Sequence, residues 1–586
     1  MLDVNRLPHI ETLKDLESNF KIFAGPGAGK TTWLVSYLEK VLRNSKRLGK
    51  TGRIACITYT NIAVEEIFNG LQCDKSRFDI STIHSFLYRN IIKPFAYLIE
   101  RNEDGELLFD ITKLDGHEEH IVQGDRLRRW INSISQLNNR NYNLYNSPQN
   151  RPNVVEELSS LDYAFYEGQT ELIIRQNRGA RLPRSNKELW IYKSKYWKDG
   201  IMHHEDVLYF SYLILLRSDR VVEFIRNRFP YIFVDEFQDT TELQTWILEK
   251  ICESTTKVGV VGDLAQSIYK FTGAKRSDFL KFKSDDIGEY KLEKNHRSTK
   301  KIIDFLNLLR SDIDQSYDSG RPDGCRVIVL IGSIQSAKHW FQDSYPGELL
   351  YILTRKNISV SEINNLLSSI NVDLLKELYS NDSNSSRARL IHSILMGFKF
   401  YQKGDLKNAL SEIIKPLKRA SSKTVLQLSL RQIAINVIDN LREKENRERT
   451  ILQFYSELNQ TISNDFGFSL GSSLRAGRAK TFYETYTIEK ILPYIKVDTK
   501  SDDLIRTIHS AKGTEFKNTL VHFELTYDFR KYILDGLNYI DMEDDDGRIY
   551  YVGCSRAKEK LLINIPDATR DDISKIENMN MAYHRV

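Results

Sequence analysis

The stretch FKIFAGPGAGKTTWL, residues 20–34, decides the fold of the first part of the chain. A short apolar run meets a loop of small residues, and a helix-compatible segment follows, an order that predicts strand, loop and helix. Glycines let successive backbone N–H groups face phosphate oxygens, and the helix N-terminus adds its dipole. We therefore predict a phosphate-binding loop that consists of Ala24, Gly25, Pro26, Gly27, Ala28, Gly29, Lys30, Thr31 and Thr32.

Two residues at the end of this loop have predicted roles. At this spacing Lys30 would reach the β- and γ-phosphates of a nucleotide, and the Thr31 hydroxyl would ligate Mg²⁺. Ala24 stands where the simplest form of the motif has glycine. The alternative is a glycine-rich turn with a chance lysine.

Further apolar runs follow at 54–58, 231–234 and 258–261. Strands that alternate with helices indicate a doubly wound parallel sheet, with ligand loops at the carboxyl ends of the strands. The run at 231–234 delivers Asp235 and Glu236 at its end. Asp235 can hold Mg²⁺, and Glu236 can orient or deprotonate an attacking water. Together with the loop, this pair predicts hydrolysis of a nucleoside triphosphate.

The rest of the chain suggests insertions. Residues 90–205 are polar and helical, with a turn-rich patch at 138–150. A second α/β pattern begins near Tyr290, includes a strand at 349–353, and resumes at 504–508 and 520–523. A mainly helical segment, 376–500, lies between its parts.

Composition excludes several classes of protein. A length of 586 residues suggests roughly three to five domains. The net charge is only +5, from 84 basic and 79 acidic residues, so average charge does not argue for nucleic-acid binding. The 5 cysteines are scattered without a CxxC pair, which argues against disulfide, zinc or iron–sulfur frameworks. Without an apolar stretch of about 18 residues or a signal sequence, we expect an intracellular, cytoplasmic protein.

Seven ordered blocks now define a resemblance. They are AGPGAGKTT (24–32), TYTNIAVEE (58–66), STIHSF (81–86), VDEFQDT (234–240), GDLAQSIYKFTGA (262–274), LEKNHRST (292–299), and TIHSAKGTEF with YVGCSRAKEKL (507–516 and 551–561). The set resembles the UvrD/Rep/PcrA group of superfamily 1 DNA helicases. The blocks span nearly the whole chain in the order that this group has.

The resemblance implies an architecture and an activity. Two RecA-like P-loop domains, parallel sheets flanked by helices, would each carry a mainly helical insertion. Domain 1A would be 1–89 with 206–285, domain 1B 90–205, domain 2A 286–375 with 501–586, and a reduced domain 2B 376–500. ATP would bind between the two cores, and opening and closing of that cleft would move single-stranded DNA, in this group from 3′ to 5′.

The resemblance also implies residue roles. Gln266 would sense the γ-phosphate, Arg297 and Arg556 would be arginines supplied by the second core, and Glu515 would contact the ribose. With Lys30, Asp235 and Glu236 they form the implied catalytic set. The implied single-strand path consists of Tyr59, Thr60, Asn61, His84, Tyr269, Phe271, Thr507 and His509. Aromatic rings there can stack any base without reading sequence.

Departures from the group fall mainly in the base pocket. Thr32 replaces an arginine, His296 replaces a tyrosine, and His9 lies where the group has a glutamine ahead of the loop. An imidazole stacks on a base with less area. We hypothesise that ATP is used but that GTP and other nucleotides are accepted within about tenfold. The run His203 to Asp206 could suggest a metal site, and a charged helix N-terminus is the interpretation we favour.

Two functions from different classes stay open. The first is a motor, a DNA-stimulated ATPase that moves on single strands and unwinds duplex. The second is a nucleotide-gated DNA sensor that licenses a separate nuclease, as in Gabija-type anti-phage systems with a partner of the OLD/TOPRIM type. The small 376–500 insertion and the altered base pocket suit the second. A P-loop GTPase or kinase would leave the second core and its arginines unexplained.

Overall fold

The structure is a computed structural model. It describes residues 13, 15–114, 116–117, 120, 122–166, 169–174, 185–253, 255–270, 273–283, 286–356, 374–382, 384–402, 404–420, 427–470, 474, 476–492, 495, 504–535 and 545–586. His9 and Phe271 lie outside this set. The chain divides into two compact units, Met1–Ser359 with Ile505–Val586, and Val360–Leu504. Among the described helices, none has the length and hydropathy that a membrane span requires.

The first sheet has six parallel strands. They are β1 (Phe20–Ala24), β2 (Ile54–Thr58), β3 (Phe78–Thr82), β6 (Tyr231–Val234), β7 (Lys257–Gly262) and β8 (Gly288–Leu292). Their order across the sheet is β3-β2-β6-β7-β1-β8. All five residues of β1 are buried, as are those of β2, because helices cover both faces of the sheet. The α/β class predicted from the alternating apolar runs is confirmed.

Strand β8 belongs to this first sheet rather than to the second. Tyr290 pairs with Ile22 of β1, so the edge of the first sheet extends to Leu292. The prediction that the second α/β pattern begins near Tyr290 is therefore wrong for this strand. The apolar pattern marks a strand there, but it carries no information on which sheet accepts the strand.

Helices surround the sheet and form the insertion between β3 and β6. The described helices here are α1 (Lys30–Asn44), α2 (Asn61–Gly70), α3 (Ile83–Leu87), α4 (Lys93–Phe95), α5 (Gly124–Ile134), α6 (Asn139–Asn146), α7 (Arg151–Ser159), α8 (Asn186–Trp197), α9 (His204–Arg217), α10 (Asp219–Arg228), α11 (Glu242–Cys252) and α12 (Arg276–Lys281). An antiparallel hairpin, β4 (Leu161–Tyr166) and β5 (Gln169–Ile174), also lies in the insertion.

The insertion departs from its predicted form at two places. The patch expected to form turns at 138–150 contains helix α6, whose first turn is capped by the Asn138 side chain. Tyr145 of α6 is buried and stacks on Trp130 at 5.3 Å, so tertiary packing outweighs the turn preference of the asparagines. The hairpin β4–β5 was not predicted.

The second sheet is also parallel. Its strands are β9 (Ile328–Ile331), β10 (Tyr351–Thr354), β11 (Ile505–Thr507), β12 (Phe516–His522), β13 (Ala557–Ile565) and β14 (Ala582–Arg585), in the order β11-β10-β12-β13-β9-β14. Its described helices are α13 (Lys300–Leu308), α14 (Ile334–Ser344), Thr526–Phe529, Asp545–Cys554 and Arg570–Asn578. Two parallel sheets of this kind match the predicted pair of RecA-like domains.

The unit Val360–Leu504 is helical where it is described. Its helices are Leu374–Asn381, Ser385–Gln402, Leu406–Ala420, Gln427–Arg442, Lys444–Arg447, Ile451–Phe466, Arg478–Thr485 and Ile488–Ile491. They enclose an apolar core of their own, in which Ile391, Leu417 and Tyr483 are fully buried. This unit therefore has the core that an independent domain needs.

Candidate functional site

The predicted phosphate loop joins β1 to α1. β1 ends at Ala24 and α1 begins at Lys30, so the loop presents the free N–H groups at the start of a 15-residue helix. Gly27 and Gly29 have φ of 67° and 71°, a backbone conformation that favours glycine. A Cβ on Gly27 would lie 2.6 Å from the Arg297 Cβ, so the close approach of the segment after β8 also requires glycine. Thr31 is partly exposed and Thr32 exposed.

The carboxylate pair lies directly after β6. Asp235 is buried, and Glu236 is a non-glycine residue with φ of 53°. A strained backbone at such a position needs surrounding contacts to hold it, and here the Gln238 amide donates to the Glu236 carboxylate. The Lys30 Nζ lies 3.8 Å from the Glu236 Oε1. The loop lysine and the catalytic carboxylate candidates therefore meet in one pocket.

The pKa values of the two acids, Asp235 and Glu236, are shifted in opposite directions. Burial, and then the charge of Glu236, raise the pKa of Asp235. Burial also opposes ionisation of Glu236, but the charges of Lys30 and Lys512 outweigh it and lower the pKa of that carboxyl. Of the two acids, Glu236 is thus the more readily ionised.

The predicted γ-phosphate glutamine contacts an arginine of the second sheet. Arg556 follows the helix Asp545–Cys554 and is 2% exposed. Its NH2 donates to the Gln266 Oε1 at 2.8 Å, and the Gln266 Nε2 donates to the Asp263 Oδ2 at 2.7 Å. Burial, and then the neighbouring Arg297, lower the pKa of Arg556, and the charges of Glu236, Glu515 and Asp263 act in the opposite direction.

Arg297 and Glu515 are placed together. The Arg297 Nε donates to the Glu515 Oε1 at 2.7 Å, and its NH1 donates to the Ser555 carbonyl at 3.0 Å. The neighbouring His296 N–H donates to the Gly27 carbonyl at 2.8 Å, while its ring stays about half exposed. The segment with Arg297 therefore lies against the phosphate loop.

Three of the predicted DNA residues form one aromatic cluster. Tyr59 stacks on Tyr269 with ring centroids 4.8 Å apart, and His509 lies 6.1 Å from Tyr269. The Lys512 Nζ lies 4.9 Å from the centre of the Tyr269 ring. The same Nζ donates to the Asp239 Oδ2 at 2.5 Å and to the Gln266 carbonyl at 2.7 Å. One lysine thus touches both the aromatic cluster and residues beside the carboxylate pair.

The other predicted DNA residues are placed differently. Thr60 caps α2 by accepting from the Ala63 N–H, and Asn61 is exposed at the start of that helix. The Thr507 hydroxyl is bonded to the Ser510 hydroxyl at 3.1 Å. His84 packs near two other histidines, at 6.5 Å from His117 and at 6.1 Å from His204 between ring centroids. Burial and then the neighbouring His204 lower the pKa of His84 to about 4, so the ring is neutral at pH 7.

The run His203 to Asp206 forms the start of α9. His203 is the N-cap residue, and its backbone N–H donates to the Asp206 carboxylate at 2.9 Å. With His120 and Glu205 it could offer three metal ligands. The Lys193 ammonium, however, bonds to Glu205 at 2.8 Å and to Asp206 at 2.7 Å inside this group. A buried ammonium opposes a second cation there, in keeping with the charged-helix interpretation.

Sequence reasoning missed several site residues. Asp239 and Gln238 lie inside the quoted VDEFQDT block, so their spacing from Glu236 could have pointed to them. Arg310 also reaches the site, with its NH2 3.2 Å from the Asp263 Oδ1. No motif marks Arg310. It follows helix α13 of the second core, whereas Asp263 follows strand β7 of the first core, so the contact joins parts of the chain that the local sequence does not connect.

A phosphate loop and carboxylates on one parallel sheet, met by an arginine from a second parallel sheet, define a nucleotide hydrolase with two RecA-like cores. Residues 9–286 match the family described as the UvrD/REP helicase N-terminal domain. This part of the chain is therefore similar to the N-terminal domain of UvrD/REP helicases, and together with relatives named as helicases it supports an ATP-dependent DNA helicase.

The chain is similar in sequence to known proteins, two of which align with nearly all of it. It is 24% identical to the Gabija protein GajB of Bacillus cereus over 95% of this chain and 94% of that protein. It is 23% identical to DNA helicase II of Haemophilus influenzae over 97% of this chain and 86% of that protein. It is 23% identical to the ATP-dependent DNA helicase PcrA of Bacillus subtilis over 68% of this chain and 51% of that protein.

Proposed function

We propose that this chain couples ATP hydrolysis between its two cores to movement along single-stranded DNA, from 3′ to 5′, and to unwinding of duplex. The contact between Arg556 of the second core and Gln266 of the first carries the proposal. It brings a cation of one core to the predicted γ-phosphate position of the other, so hydrolysis depends on how the cores sit together. Such a site converts nucleotide state into relative motion of the cores.

Within this proposal the first core binds the triphosphate. Residues Ala24 to Thr32 wrap the phosphates, Lys30 neutralises the β- and γ-phosphates, and Glu236 orients and deprotonates the attacking water. Arg556 and Arg297 stabilise the charge of the transition state. Glu515, which is now paired with Arg297 and Lys558, contacts the ribose, and His296 packs on the base.

Mg²⁺ fits the residues at this site. Thr31 and Asp235 offer the hard oxygen ligands that Mg²⁺ prefers, one from the helix start and one from the strand end. Asp235 is a buried carboxylate whose pKa is raised by burial and by Glu236, and a divalent cation beside it would favour its ionised form. The ion would supply charge neutralisation at the β- and γ-phosphates.

The proposed DNA path runs over the aromatic cluster of Tyr59, Tyr269 and His509. A base that stacks on Tyr269 touches the ring that Lys512 contacts, and Lys512 bonds to Asp239. DNA binding can therefore alter the position of a charge close to Glu236. Thr60, Asn61, His84, Phe271 and Thr507 are proposed to contact the strand beyond this cluster.

We further propose the division into 1A (1–89 and 206–285), 1B (90–205), 2A (286–375 and 501–586) and 2B (376–500), except that β8 (Gly288–Leu292), which pairs with β1, belongs to 1A. Action on DNA with cellular ATP implies a cytoplasmic protein.

A second candidate function is a nucleotide-gated DNA sensor that regulates a partner nuclease of the OLD/TOPRIM type in anti-phage defence. The similarity to the Gabija protein GajB over nearly the full length of both chains favours it. The isolated chain would then hydrolyse ATP on DNA but displace little strand.

One experiment separates the two candidates. The purified chain is given ATP, Mg²⁺ and a duplex with a 3′ single-stranded tail, and ATP turnover and strand displacement are followed together. Displacement that Lys30→Ala abolishes supports the motor. DNA-stimulated turnover without displacement supports the sensor, and the absence of DNA-stimulated turnover would refute both.

A further inference from the structure

Arg310 links the two cores at a place that no motif marks. It follows helix α13 of the second core, and its side chain is fully buried. Its Nε and NH2 bond to the Asp312 carboxylate at 2.7 and 2.8 Å, within its own core. Its NH2 also lies 3.2 Å from the Asp263 Oδ1, at the end of β7 in the first core. The guanidinium is therefore shared by two carboxylates, one from each core.

Asp263 connects this arginine to the proposed γ-phosphate sensor. Its carboxylate is fully buried, and it accepts from the Gln266 Nε2 at 2.7 Å and from the Ala265 N–H at 3.0 Å. Since the amide nitrogen of Gln266 is held by Asp263, its carbonyl oxygen must face the other way, where Arg556 donates to it at 2.8 Å. The chain of contacts runs Arg310, Asp263, Gln266, Arg556, and it crosses between the cores twice.

Charge explains what Arg310 adds. A buried carboxylate without a cation attracts any cation within reach, because the dry interior screens charge poorly. Arg556 is such a cation, because it already donates to Gln266, which is bonded to Asp263. With Arg310 in place, Asp263 has a cation beside it, although Arg310 is shared with Asp312, and Arg556 stays available for a phosphate.

We propose that Arg310 is a positioning residue for nucleotide hydrolysis: it pairs with Asp263, Asp263 fixes the Gln266 amide, and the Gln266 oxygen then holds Arg556 in position for the γ-phosphate. The inference rests on the proposed function, since it assumes that Gln266 and Arg556 act on the nucleotide. Arg310 itself touches neither nucleotide nor water in this role.

The test compares Arg310→Met, Asp263→Asn and the double variant in steady-state ATP turnover with saturating single-stranded DNA. We expect Arg310→Met to lower kcat at least about 30-fold with KM for ATP within about threefold, because binding contacts remain. Adding Asp263→Asn removes the unbalanced charge, and we expect the double variant to recover at least about tenfold of the lost kcat. If Arg310 only supported packing, adding Asp263→Asn to Arg310→Met would not be expected to restore kcat.

Arg387→Met is the matched control. Arg387 is also a buried arginine with a two-point bond to one carboxylate, Asp382, at 2.8 and 2.7 Å, but it lies in the unit Val360–Leu504. It should lower the melting temperature while kcat changes less than about threefold. An equal loss of kcat in this control would overturn the proposal.

Two further outcomes would also overturn it. One is a folded Arg310→Met chain with kcat within about threefold of the parent, and the other is a double variant with no recovery. If Arg310→Met does not fold, the comparison is made in the Asp263→Asn background. There, adding Arg310→Met should lower kcat less than about threefold, and a loss of kcat above about tenfold would contradict the inference.

A parent chain without DNA-stimulated ATPase would refute the proposed function and the inference together, whereas an active parent with unchanged variants refutes only the inference.

Discussion

Replacing Arg556 by alanine tests the contribution of the second core to hydrolysis. The guanidinium is 2% exposed and lies at hydrogen-bond distance from Gln266, so its charge acts in a water-poor site. Arginines that complete such sites in trans contribute about 10³–10⁵ in rate, or about 4–7 kcal/mol of transition-state stabilisation. Because Lys30 and Arg297 remain, we expect a loss near the lower end, about 10³ in kcat.

The assay is steady-state ATP turnover with saturating single-stranded DNA, which gives kcat and KM separately. Loss of a contact made mainly in the transition state should lower kcat with little change in KM. The alanine also leaves the Gln266 oxygen without its arginine, at a stability cost of about 1–3 kcal/mol, which thermal melting will report.

Arg530→Ala is the control for this variant. Arg530 lies in the second core and bonds to Asp572 at 2.7 Å, on a partly exposed surface outside the site. Its removal should leave kcat unchanged within about twofold. If Arg556→Ala keeps turnover within about threefold of the parent, Arg556 does not act on the phosphate and the two-core reasoning is refuted.

Further predictions address the nucleotide and the DNA. Lys30→Ala should abolish hydrolysis while circular dichroism and the melting temperature stay close to the parent; a variant that still turns over ATP would contradict the role of the loop. Removal of Mg²⁺ with EDTA should stop turnover, and Mg²⁺ but not Ca²⁺ should restore it, since Mg²⁺ enforces octahedral geometry at the phosphates. Tyr269→Ala should weaken binding of single-stranded DNA by about 1–3 kcal/mol equally for mixed, dT and dA oligonucleotides in fluorescence anisotropy, and a sequence-dependent loss would argue against stacking. A nucleotide panel should show GTP within about tenfold of ATP in kcat/KM, and near-exclusive use of ATP would contradict the hypothesis of a relaxed base pocket.

The sequence predicted the parts of the fold that short-range patterns encode. The strands at 54–58 and 231–234 have the expected bounds, and Lys30 opens α1 as the loop motif requires. The strand expected at 520–523 begins earlier, at Phe516, because three consecutive polar residues, Lys517 to Thr519, separate Phe516 from the apolar run. Local pattern therefore predicts that an element exists better than where it ends.

The sequence does not predict which distant residues contact each other in the folded chain. Tyr290 reads as a strand residue in any sheet, and only its register with Ile22 assigns it to the first. Helix α6 forms in an asparagine-rich patch because Tyr145 finds Trp130 to pack on. The bond between Arg310 and Asp263 joins residues 47 positions apart, and neither arginine nor aspartate at those positions signals the other.

The most direct test of the composite site is a structure of the chain with ADP, aluminium fluoride, Mg²⁺ and single-stranded DNA. The aluminium fluoride stands in for the transferring phosphoryl group. We predict that the Lys30 ammonium from the first core and the Arg556 guanidinium from the second both lie about 3 Å from fluoride atoms. If Arg556 instead stays on Gln266 and points away from the fluoride, the claim that the second core completes the nucleotide site is contradicted.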